Sequence, residues 1–252
     1  MAIANNKVLL VTGGSRGIGA AVVERAAIDG YRICINYQRN RAAAEAVQAR
    51  VAACGGEAMI HAADVADEAA VVAMFAAIDQ RFGPLTHLVN NAAVLETQMR
   101  VADMDAARLQ RVLACNVIGS FLCCREAIRR MSTRHGGAGG VIVNVSSAAA
   151  RLGSAGEYVD YAASKGAIDT LTTGLAKEVG PEGIRVNAVR PAFIETAMHA
   201  SGGEPGRVAR IAPQLPMRRG GQPAEVAETI VWLLSEAASY VCGAHVDMAG
   251  GL

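Results

Sequence analysis

Short apolar runs and longer amphipathic stretches alternate along the chain. Where an apolar run leads into glycine or asparagine, as in "KVLLVTGG" and "PLTHLVNNAA", the pattern predicts a buried β-strand ending in a turn. Apolar residues at helical spacing follow in "GIGAAVVERAAIDG", which Gly30 ends, and in "NRAAAEAVQARVAACGG", which Asn40 caps. The other predicted strands are "YRICINY", "EAMIHAADV", "VIVNVSS", "GIRVNAVRP" and "AHVDMAGG". Apolar strands separated by helices are typical of a doubly wound α/β fold, a parallel sheet covered on both faces.

Composition changes this picture little. The 252 residues are 52% hydrophobic and 19% charged, which indicates a packed globular chain rather than a disordered one. No Pro/Ser-rich linker divides the sequence, so we expect a single domain over residues 1–252. The net charge of +1 does not favour nucleic acid as a partner, and no apolar run is long enough to span a bilayer. Because "MAIANNKVLLVTGG" does not look like a signal peptide, we expect a cytoplasmic protein without a membrane partner.

Cysteines and histidines lack metal-site spacing. The six cysteines form no CxxC pair, which favours small buried residues in a reducing compartment over a disulfide framework or a zinc site. The five histidines, at positions 61, 87, 135, 199 and 245, are too scattered to form a ligand set. We therefore expect no metal site.

The first predicted turn, "TGGSRGIG" from Thr12 to Gly19, has the composition of a phosphate-binding turn. Small residues there let the backbone approach a pyrophosphate, while the following helix N-terminus supplies free N–H groups and a positive dipole. The spacing is GxxxGxG rather than the commoner GxGxxG, and such a turn is a weak signal alone. Its position at the first strand-to-helix junction strengthens the interpretation, since ligands of doubly wound sheets bind beyond the carboxyl ends of the strands.

Polar or small residues follow four other predicted strands at the same edge. They are Asp64 and Val65, the "NNAA" segment 90–93, Ser146 and Ser147, and Pro191 with the following "AFIET". Each alone is explained by an ordinary turn or cap. A shared ligand crevice explains all of them with one assumption.

Two tyrosines precede a single lysine in "GEYVDYAASKGA". A phenol has a pKa near 10, so at neutral pH it is a poor base unless a cation stabilises its phenolate. Residues four apart share a helix face, which pairs Tyr161 with Lys165, whereas Tyr158 lies two turns from the lysine. Taken alone, the pair is also explained by an aromatic residue beside a surface lysine.

With these motifs in this order, the chain resembles the short-chain dehydrogenase/reductase family over nearly its whole length. The matching segments are "TGGSRGIG", "NNAA", "CNV" around Asn116, "VNVSS", "YAASK", "RVNAVRP" and "VDMAGG". The pattern is closest to the group of β-ketoacyl-carrier-protein reductases and sugar dehydrogenases. The resemblance implies a single Rossmann-like domain with a seven-stranded parallel sheet and helices on both faces. It also implies hydride transfer between a nicotinamide cofactor and a small carbonyl or alcohol substrate.

By this resemblance the family's catalytic residues fall on Asn116, Ser147, Tyr161 and Lys165. Tyr161 is implied as the general acid and base, and Ser147 as a hydrogen-bonding partner of the reacting oxygen. Lys165 is implied to hold the nicotinamide ribose, and its charge should lower the tyrosine pKa. Asn116 is implied to position a water that relays protons to Lys165.

One departure from the family pattern concerns the loop 148–160. Ser147 and Tyr161 are fourteen positions apart, where many members have thirteen, so the loop shape is open and Ser146 stays an alternative to Ser147. Tyr158 is interpreted as a packed loop aromatic, with a wall of the substrate mouth as the alternative.

The same resemblance places cofactor contacts along the strand ends. In the NAD-preferring pattern an acid at the end of the second strand binds the ribose 2′-hydroxyl, but "YRICINYQR" has no acid. Arg16 and Arg39 offer charge to a 2′-phosphate instead, so we predict NADP(H) over NAD(H); the alternative is that Arg39 is a solvated helix-start residue. The predicted cofactor-binding residues are Gly13, Ser15, Arg16, Gly17, Ile18, Gly19, Asn36, Arg39, Asp64, Val65, Asn90, Ala92, Tyr161, Lys165, Pro191, Ile194 and Thr196, with Asp64 and Val65 at the adenine.

The segment 192–222 is rich in glycine, proline and arginine, and predicts a mobile lid over the substrate. Met198 and His199 are candidates for the pocket lining. Four arginines of this segment could meet an acidic substrate, although a solvated lid surface is the favoured explanation. They are Arg207, Arg210, Arg218 and Arg219.

Two other functions stay open at this point. Some relatives of the family bind a dinucleotide only as regulators, and others are nucleotide-sugar epimerases or dehydratases. All four catalytic residue types are present here, which favours an enzyme, and the sugar-nucleotide enzymes are usually longer.

Assembly is predicted from two apolar helical segments, residues 105–131 and 161–180. Ala167, Leu171 and Leu175 recur at four-residue spacing, which indicates a stripe that either packs on the sheet or contacts another subunit. Together with the family resemblance, the two segments predict a homotetramer.

Overall fold

The seven predicted strands form one parallel sheet. The structure is a computed structural model that describes residues 7–252. Its strands are β1 Val8–Val11, β2 Arg32–Tyr37, β3 Glu57–Ala62, β4 His87–Asn90, β5 Gly140–Val145, β6 Ile184–Pro191 and β7 His245–Met248. They are ordered β3-β2-β1-β4-β5-β6-β7 with parallel pairing throughout. The Rossmann-like sheet expected from the sequence is confirmed.

Helices connect successive strands. The longer ones are α1 Gly17–Ile28, α2 Arg41–Ala53, α3 Glu68–Phe82, α4 Ala106–Leu113, α5 Gly119–Met131, α7 Val159–Val179 and α10 Pro223–Leu234. The shorter ones are α6 Ala149–Leu152, α8 Met198–Ser201 and α9 Arg207–Ile211. The Asn40 side chain accepts a hydrogen bond from the Ala43 N–H at 2.9 Å, which confirms the predicted cap of α2.

Both faces of the sheet are covered, because successive strand residues point to opposite faces. In β1, Leu9 and Val11 lie in a core with residues of α1 and α10, whereas Val8 and Leu10 lie in a core with residues of α3, α5 and α7. All four side chains are fully buried. This two-sided burial explains why the strands read as continuous apolar runs.

The sheet order reverses at β1. From this central strand, β2 and β3 extend to one side and β4 to β7 extend to the other. The connections that leave β1 and β4 therefore diverge at the carboxyl edge, and a crevice opens between them. All predicted polar strand ends face this edge, so the fold brings them to one region.

The apolar pattern predicts one helical segment over residues 105–131, but the structure divides it into two helices joined by an irregular turn. Between α4 and α5 the chain forms a wide π-helical turn over residues 114–118, centred on the buried Asn116. Such a turn holds one extra residue and is frequent at functional sites. Here it turns the Asn116 side chain toward the main chain of Val94, with which it exchanges two hydrogen bonds.

Within residues 7–252, no helix combines the length and the apolar character needed to cross a bilayer. The same residues contain no cluster of three or more potential metal ligands.

Candidate active site

A cleft of about 140 Å³ lies at the carboxyl edge of the sheet. Residues from the glycine turn, from the ends of β4, β5 and β6, from α7 and from the 192–222 segment form its walls. The lining includes Ile18, Asn91, Leu95, Ser147, Leu152, Tyr158, Tyr161, Lys165, Pro191, Phe193, Ile194, Thr196, Met198, His199 and Arg207. The fold thus brings the predicted tyrosine, lysine and serine into one cavity beside the first turn of α1.

The glycine turn, residues 12–19, has backbone angles and close contacts that favour glycine at three positions. Gly13 and Gly17 have φ angles of +61° and +53°. A Cβ at Gly19 would lie 2.4 Å from the Gly13 carbonyl oxygen, so the two backbone segments touch. Ser15 and the exposed Arg16 occupy the outer part of the turn, directly before α1. The free N–H groups of that helix end therefore face an open, side-chain-poor surface.

Side chains behind this turn hold it in place. Asn36, a predicted cofactor contact, is buried and accepts a hydrogen bond from the Gly13 N–H at 3.1 Å. Its amide donates to the Ala63 carbonyl at 3.0 Å. The structure therefore places the Asn36 side chain beneath the turn, as a support that links β2 and β3 to it.

Asn91, not Asn90, connects β4 to the glycine turn. Its amide donates to the carbonyls of Thr12 and Gly13 at 2.9 and 3.1 Å, and its own N–H donates to the Thr12 hydroxyl. The Ala92 N–H donates to the same hydroxyl at 3.0 Å. Asn90 instead points into the core, where its amide donates to the Asn144 carboxamide oxygen. Both Thr12 and Asn91 belong to segments that the sequence pattern singled out, but the predicted cofactor contacts included Asn90 rather than Asn91 and left out Thr12.

The ends of β2 and β3 form the outer part of the crevice. Arg16 and Arg39 are both exposed, and neither forms an ion pair within residues 7–252. Asp64 accepts hydrogen bonds from the Gln38 amide at 2.7 Å and from the Ala66 N–H at 3.0 Å. Val65 lies in the core instead, against Gly119, where an added Cβ would be 2.7 Å from Val65 Cγ2.

Residues after β6 close the crevice opposite the glycine turn. Pro191, Ile194 and Thr196 all line the cleft, as does Ile18 at the start of α1. A Cβ added to Gly17 would lie 3.4 Å from Thr196 Cγ2, so this part of the segment faces the turn directly.

Helix α7 positions Tyr161 and Lys165 one turn apart on its buried face. The Lys165 Nζ lies 5.5 Å from the centroid of the Tyr161 ring. It donates a hydrogen bond to the Val145 carbonyl at the end of β5, at 2.7 Å. The lysine is therefore fixed between helix and strand, within electrostatic reach of the phenol.

The pKa values of this pair differ from the expectation that Lys165 lowers the pKa of Tyr161. Burial raises the pKa of Tyr161 to about 12, and a hydrogen bond with Ser147 opposes that increase. Burial also lowers the pKa of Lys165 to about 8. Desolvation is thus the largest cause of both shifts, and the Lys165 ammonium is hydrogen-bonded to the Val145 carbonyl.

The two serines after β5 have different environments. The Ser147 hydroxyl lies in the cleft, lowers the pKa of Tyr161 against the effect of burial, and donates to the Pro191 carbonyl at 3.3 Å. The Ser146 hydroxyl instead donates to Asp169 Oδ1 at 2.7 Å, on α7. Of the two candidates, the geometry favours Ser147 as the partner of the tyrosine.

Asn116 is fully engaged by protein groups. Its amide donates to the Val94 carbonyl and to the Ser164 hydroxyl, each at 3.1 Å, and its oxygen accepts from the Val94 N–H at 2.8 Å. The side chain ties the segment after β4 to α7, one residue before Lys165. No described contact joins Asn116 to the lysine itself.

The loop 148–160, whose shape the sequence left open, makes a tight turn after α6. Gly153, Ser154 and Gly156 all have positive φ angles, of 77°, 47° and 76°. Tyr158 follows; it is buried, lines the cleft and donates its hydroxyl proton to the Gly202 carbonyl at 2.9 Å. Tyr158 is thus both a packed aromatic and a wall of the cleft.

Among the four lid arginines, Arg207 does not fit the expectation of a solvated surface. It is buried in the cleft wall, where it pairs with Glu157 and with Glu204 at 3.0 Å, and stacks 5.1 Å from the Tyr158 ring. Two carboxylates neutralise this cation, so it offers little net charge to an acidic substrate. The other three are exposed; Arg210 pairs with Glu204 and Arg219 with Glu225.

His199 and Met198 line the same cleft. The His199 Nε2 lies 3.0 Å from the Ile194 carbonyl, which can only accept, so this nitrogen carries the proton. Burial lowers the pKa of His199, and its Nδ1 is buried without a partner within the described residues. The ring is therefore neutral, with an unused acceptor nitrogen.

Comparisons with known proteins agree with this geometry. A family model described as Enoyl-(Acyl carrier protein) reductase matches residues 13–252. The chain is 61% identical over 244 residues to the "Uncharacterized oxidoreductase YgfF" of Escherichia coli (strain K12), covering 97% of this chain and 99% of that protein. It is 34% identical over 246 residues to the 3-oxoacyl-(acyl-carrier-protein) reductase FabG of Staphylococcus aureus (strain Mu50 / ATCC 700699), with 98% of each chain covered.

Solved structures match over nearly the whole chain as well. A short-chain dehydrogenase from Burkholderia cenocepacia J2315 in complex with NADP has a TM-score of 0.90 and 31% identity over 98% of each chain. A short-chain dehydrogenase/reductase from Serratia marcescens BCRC 10948 has a TM-score of 0.89 and 34% identity, also over 98% of each chain. The protein therefore belongs to the short-chain dehydrogenase/reductase family of oxidoreductases.

Proposed function

We propose that the protein is an NADP(H)-dependent oxidoreductase that interconverts a ketone and a secondary alcohol, with Tyr161 as general acid and base. The observation that carries this proposal is the meeting of Ser147, Tyr161 and Lys165 in one cleft beside the glycine turn. Relatives named as oxidoreductases and reductases favour this activity over a regulator or a nucleotide-sugar epimerase.

The crevice fits a nicotinamide dinucleotide phosphate. A Cβ on Gly19 would clash with the Gly13 carbonyl oxygen, so glycine keeps the turn tight beside the start of α1, where a pyrophosphate would lie. No acidic residue occupies the first turn of α1, and Arg16 and Arg39 stay exposed without carboxylate partners among residues 7–252. These two arginines would hold the 2′-phosphate, Asp64 would contact the adenine, and Lys165 would bind the nicotinamide ribose.

Tyr161 and Ser147 supply the acid–base chemistry. When bound, the nicotinamide exchanges a hydride with the substrate carbon. In reduction, Tyr161 donates its phenolic proton to the carbonyl oxygen, and the Ser147 hydroxyl hydrogen-bonds the same oxygen as charge develops. Because the pKa of Tyr161 is raised to about 12, the phenol is protonated at neutral pH, which suits reduction. Oxidation needs the phenolate and should accelerate as the pH rises.

Lys165 acts through its charge. Below about pH 8 the Lys165 amine is protonated. Its Nζ lies 5.5 Å from the centroid of the Tyr161 ring, so its charge stabilises the phenolate left when Tyr161 gives up its proton. Asn116 holds the segment after β4 against α7, which fixes the cleft wall around this pair.

Residues 1–252 are proposed to act as one catalytic domain, with 192–222 as the lid over the substrate. The lid is fastened at Tyr158 and at Arg207, both on the cleft wall. Apolar side chains line much of the cavity beneath it, among them Leu95, Leu152, Phe193 and Met198. The substrate is accordingly a small molecule with an apolar part next to its carbonyl.

Replacing each tyrosine by phenylalanine tests the assignment. Tyr161→Phe removes the proton donor and should lower kcat by more than about a thousandfold, within the range that general acid catalysis supplies together with an oriented donor. Tyr158→Phe removes one hydrogen bond to Gly202 and is the matched control, with an expected change of a few-fold at most. NADPH oxidation with a panel of ketones measures both variants. Substantial turnover by Tyr161→Phe, with loss in Tyr158→Phe, would reverse the assignment.

A homotetramer is the proposed assembly. On α7, Leu171 is buried in its own core and Leu175 packs against it, so this stripe serves the subunit's interior. A group of exposed apolar residues that could contact another subunit lies instead on α4, the π turn and α5: Leu109, Leu113, Ile118 and Phe121 are 39–52% exposed. Light scattering at micromolar concentration should give four times the chain mass of 26.1 kDa, and a monomer would contradict the proposal.

A further inference from the structure

Asp169 lies on α7 one turn beyond Lys165 and two turns beyond Tyr161, on the same side of the helix. Its side chain is only 15% exposed. The carboxylate accepts the Ser146 hydroxyl at 2.7 Å, from the end of β5. That hydroxyl also lies 3.2 Å from the Lys165 carbonyl, so Ser146 contacts α7 at two successive turns.

Two further strands reach the same residue. Arg190 of β6 donates through Nε to Asp169 Oδ2 at 3.0 Å, and a second guanidinium nitrogen lies 2.9 Å from that oxygen. His245 of β7 donates its Nε2 proton to the Asp169 main-chain carbonyl at 3.1 Å. Three neighbouring strands, β5, β6 and β7, are therefore joined to α7 at one position.

This junction sits directly behind the catalytic groups. Ser146 is adjacent in sequence to Ser147, which lines the same cleft as Tyr161 and lowers the pKa of that tyrosine. Any sliding or rotation of α7 on the sheet would move Tyr161 and Lys165 relative to Ser147. Fixing Ser146 to α7 fixes that relation, and a misplacement of about 1 Å at such a site costs about a hundredfold in rate.

We propose that Asp169 is a positioning residue, an inference that rests on the proposed function. It holds α7 against β5–β7 and so sets the positions of Ser147, Tyr161 and Lys165 relative to one another. It has a second effect through its charge. Lys165 faces Tyr161, Cys115 and Asp169, and the carboxylate favours the protonated lysine against the burial that lowers its pKa. Facing Asp169 itself are Arg190 and His245, and beyond Arg190 lies Asp247 at 3.8 Å.

Asp169→Asn separates charge from shape, because the amide keeps an acceptor for Ser146 while losing the negative charge. We expect kcat for ketone reduction to fall about tenfold with little change in KM, and the loss of rate at alkaline pH to begin at a lower pH. Asp247→Asn is the matched control: it also removes a carboxylate near Arg190, but one that does not contact Ser146. Its kcat and pH profile should equal those of the wild-type protein.

Ser146→Ala tests the positioning alone, since it leaves the Asp169–Arg190 ion pair in place. It should lower kcat several-fold without moving the alkaline limb, and it also decides the question if Asp169→Asn does not fold. Wild-type kcat in Ser146→Ala, or equal effects of Asp169→Asn and Asp247→Asn, would overturn the inference. Tyr161→Phe in the same assay keeps the two proposals apart: if it is inactive while Asp169→Asn matches the wild type, only this inference fails.

Discussion

The two sides of the crevice use polar groups in opposite ways. On the side of the glycine turn, the ligand-facing surface is main chain, and Arg16 and Arg39 stay exposed, without ion pairs among the described residues. On the catalytic side, Lys165 is buried and Tyr161 is partly buried in the cleft wall, and desolvation displaces the pKa of each. Exposed charges cost little until a ligand arrives, whereas buried ones destabilise the fold continuously.

This difference separates what substitutions do on each side. A change at the glycine turn should act on dinucleotide affinity and choice, and leave the chemistry intact. A change at Tyr161 or Lys165 should act on the rate, the pH dependence and the stability together. The following predictions test that separation.

Gly19→Ala should have the largest effect on binding. The new Cβ would lie 2.4 Å from the Gly13 carbonyl oxygen, so the turn has to open and the pyrophosphate surface is lost. We expect the dissociation constant for NADPH, measured by calorimetry, to rise about a hundredfold, which corresponds to about 2.7 kcal/mol. Gly180→Ala is the control, since a Cβ there meets nothing within 4 Å. Equal affinities of the two variants would contradict the role given to this turn.

Cofactor choice should depend on Arg39. Each guanidinium–phosphate contact is worth about 1.5–3 kcal/mol, so Arg39→Asp should move the ratio of kcat/KM for NADPH and NADH toward NADH by about tenfold to a hundredfold. Arg41→Asp controls for local charge, because Arg41 already pairs with Glu45 at 2.7 Å. A wild-type protein that uses both cofactors equally, or prefers NADH, refutes the assignment. If the kcat/KM ratio for NADPH and NADH is unchanged in Arg39→Asp, Arg39 does not select the cofactor.

The sequence predicts the glycine-turn side of the crevice better than the catalytic side. The seven strands and the glycine turn can be predicted from local pattern, because apolar runs and Gly-rich turns depend directly on the backbone conformation. Whether Asn90 or Asn91 reaches the turn depends on how β4 sits in the sheet, and local pattern does not contain that. The π turn at Asn116 is equally hidden, since it arises from a contact with Val94, twenty-two positions away.

The pKa values were the least predictable feature. A tyrosine four residues before a lysine suggests a lowered phenol pKa, but in the structure desolvation raises the pKa of Tyr161 to about 12. Burial of the pair depends on β5, β6 and the lid closing around α7. A helix considered alone cannot report that.

The smallest predicted effect concerns stability, and it has a definite sign. The pKa of Lys165 falls from 10.5 to about 8 on folding, so the folded protein binds fewer protons than the unfolded chain between these values. The buried ammonium therefore destabilises the fold by its full amount below about pH 8, and the free energy of unfolding rises with pH between about 8 and 10.5 as this destabilisation is relieved. Lys165→Met removes the buried charge and should be more stable than the wild type at pH 7 by about 2 kcal/mol, after the lost Val145 hydrogen bond is subtracted. The gain in Tm should be about 4–8 °C. The gain in stability should shrink as the pH approaches 10, while activity is lost at every pH.

Lys177→Met, on the exposed face of the same helix, is the control and should show neither the gain in stability nor its pH dependence. Thermal melts of the three proteins at pH 7 and pH 10 decide it, and a destabilised Lys165→Met at pH 7 would mean that the buried ammonium stabilises the fold.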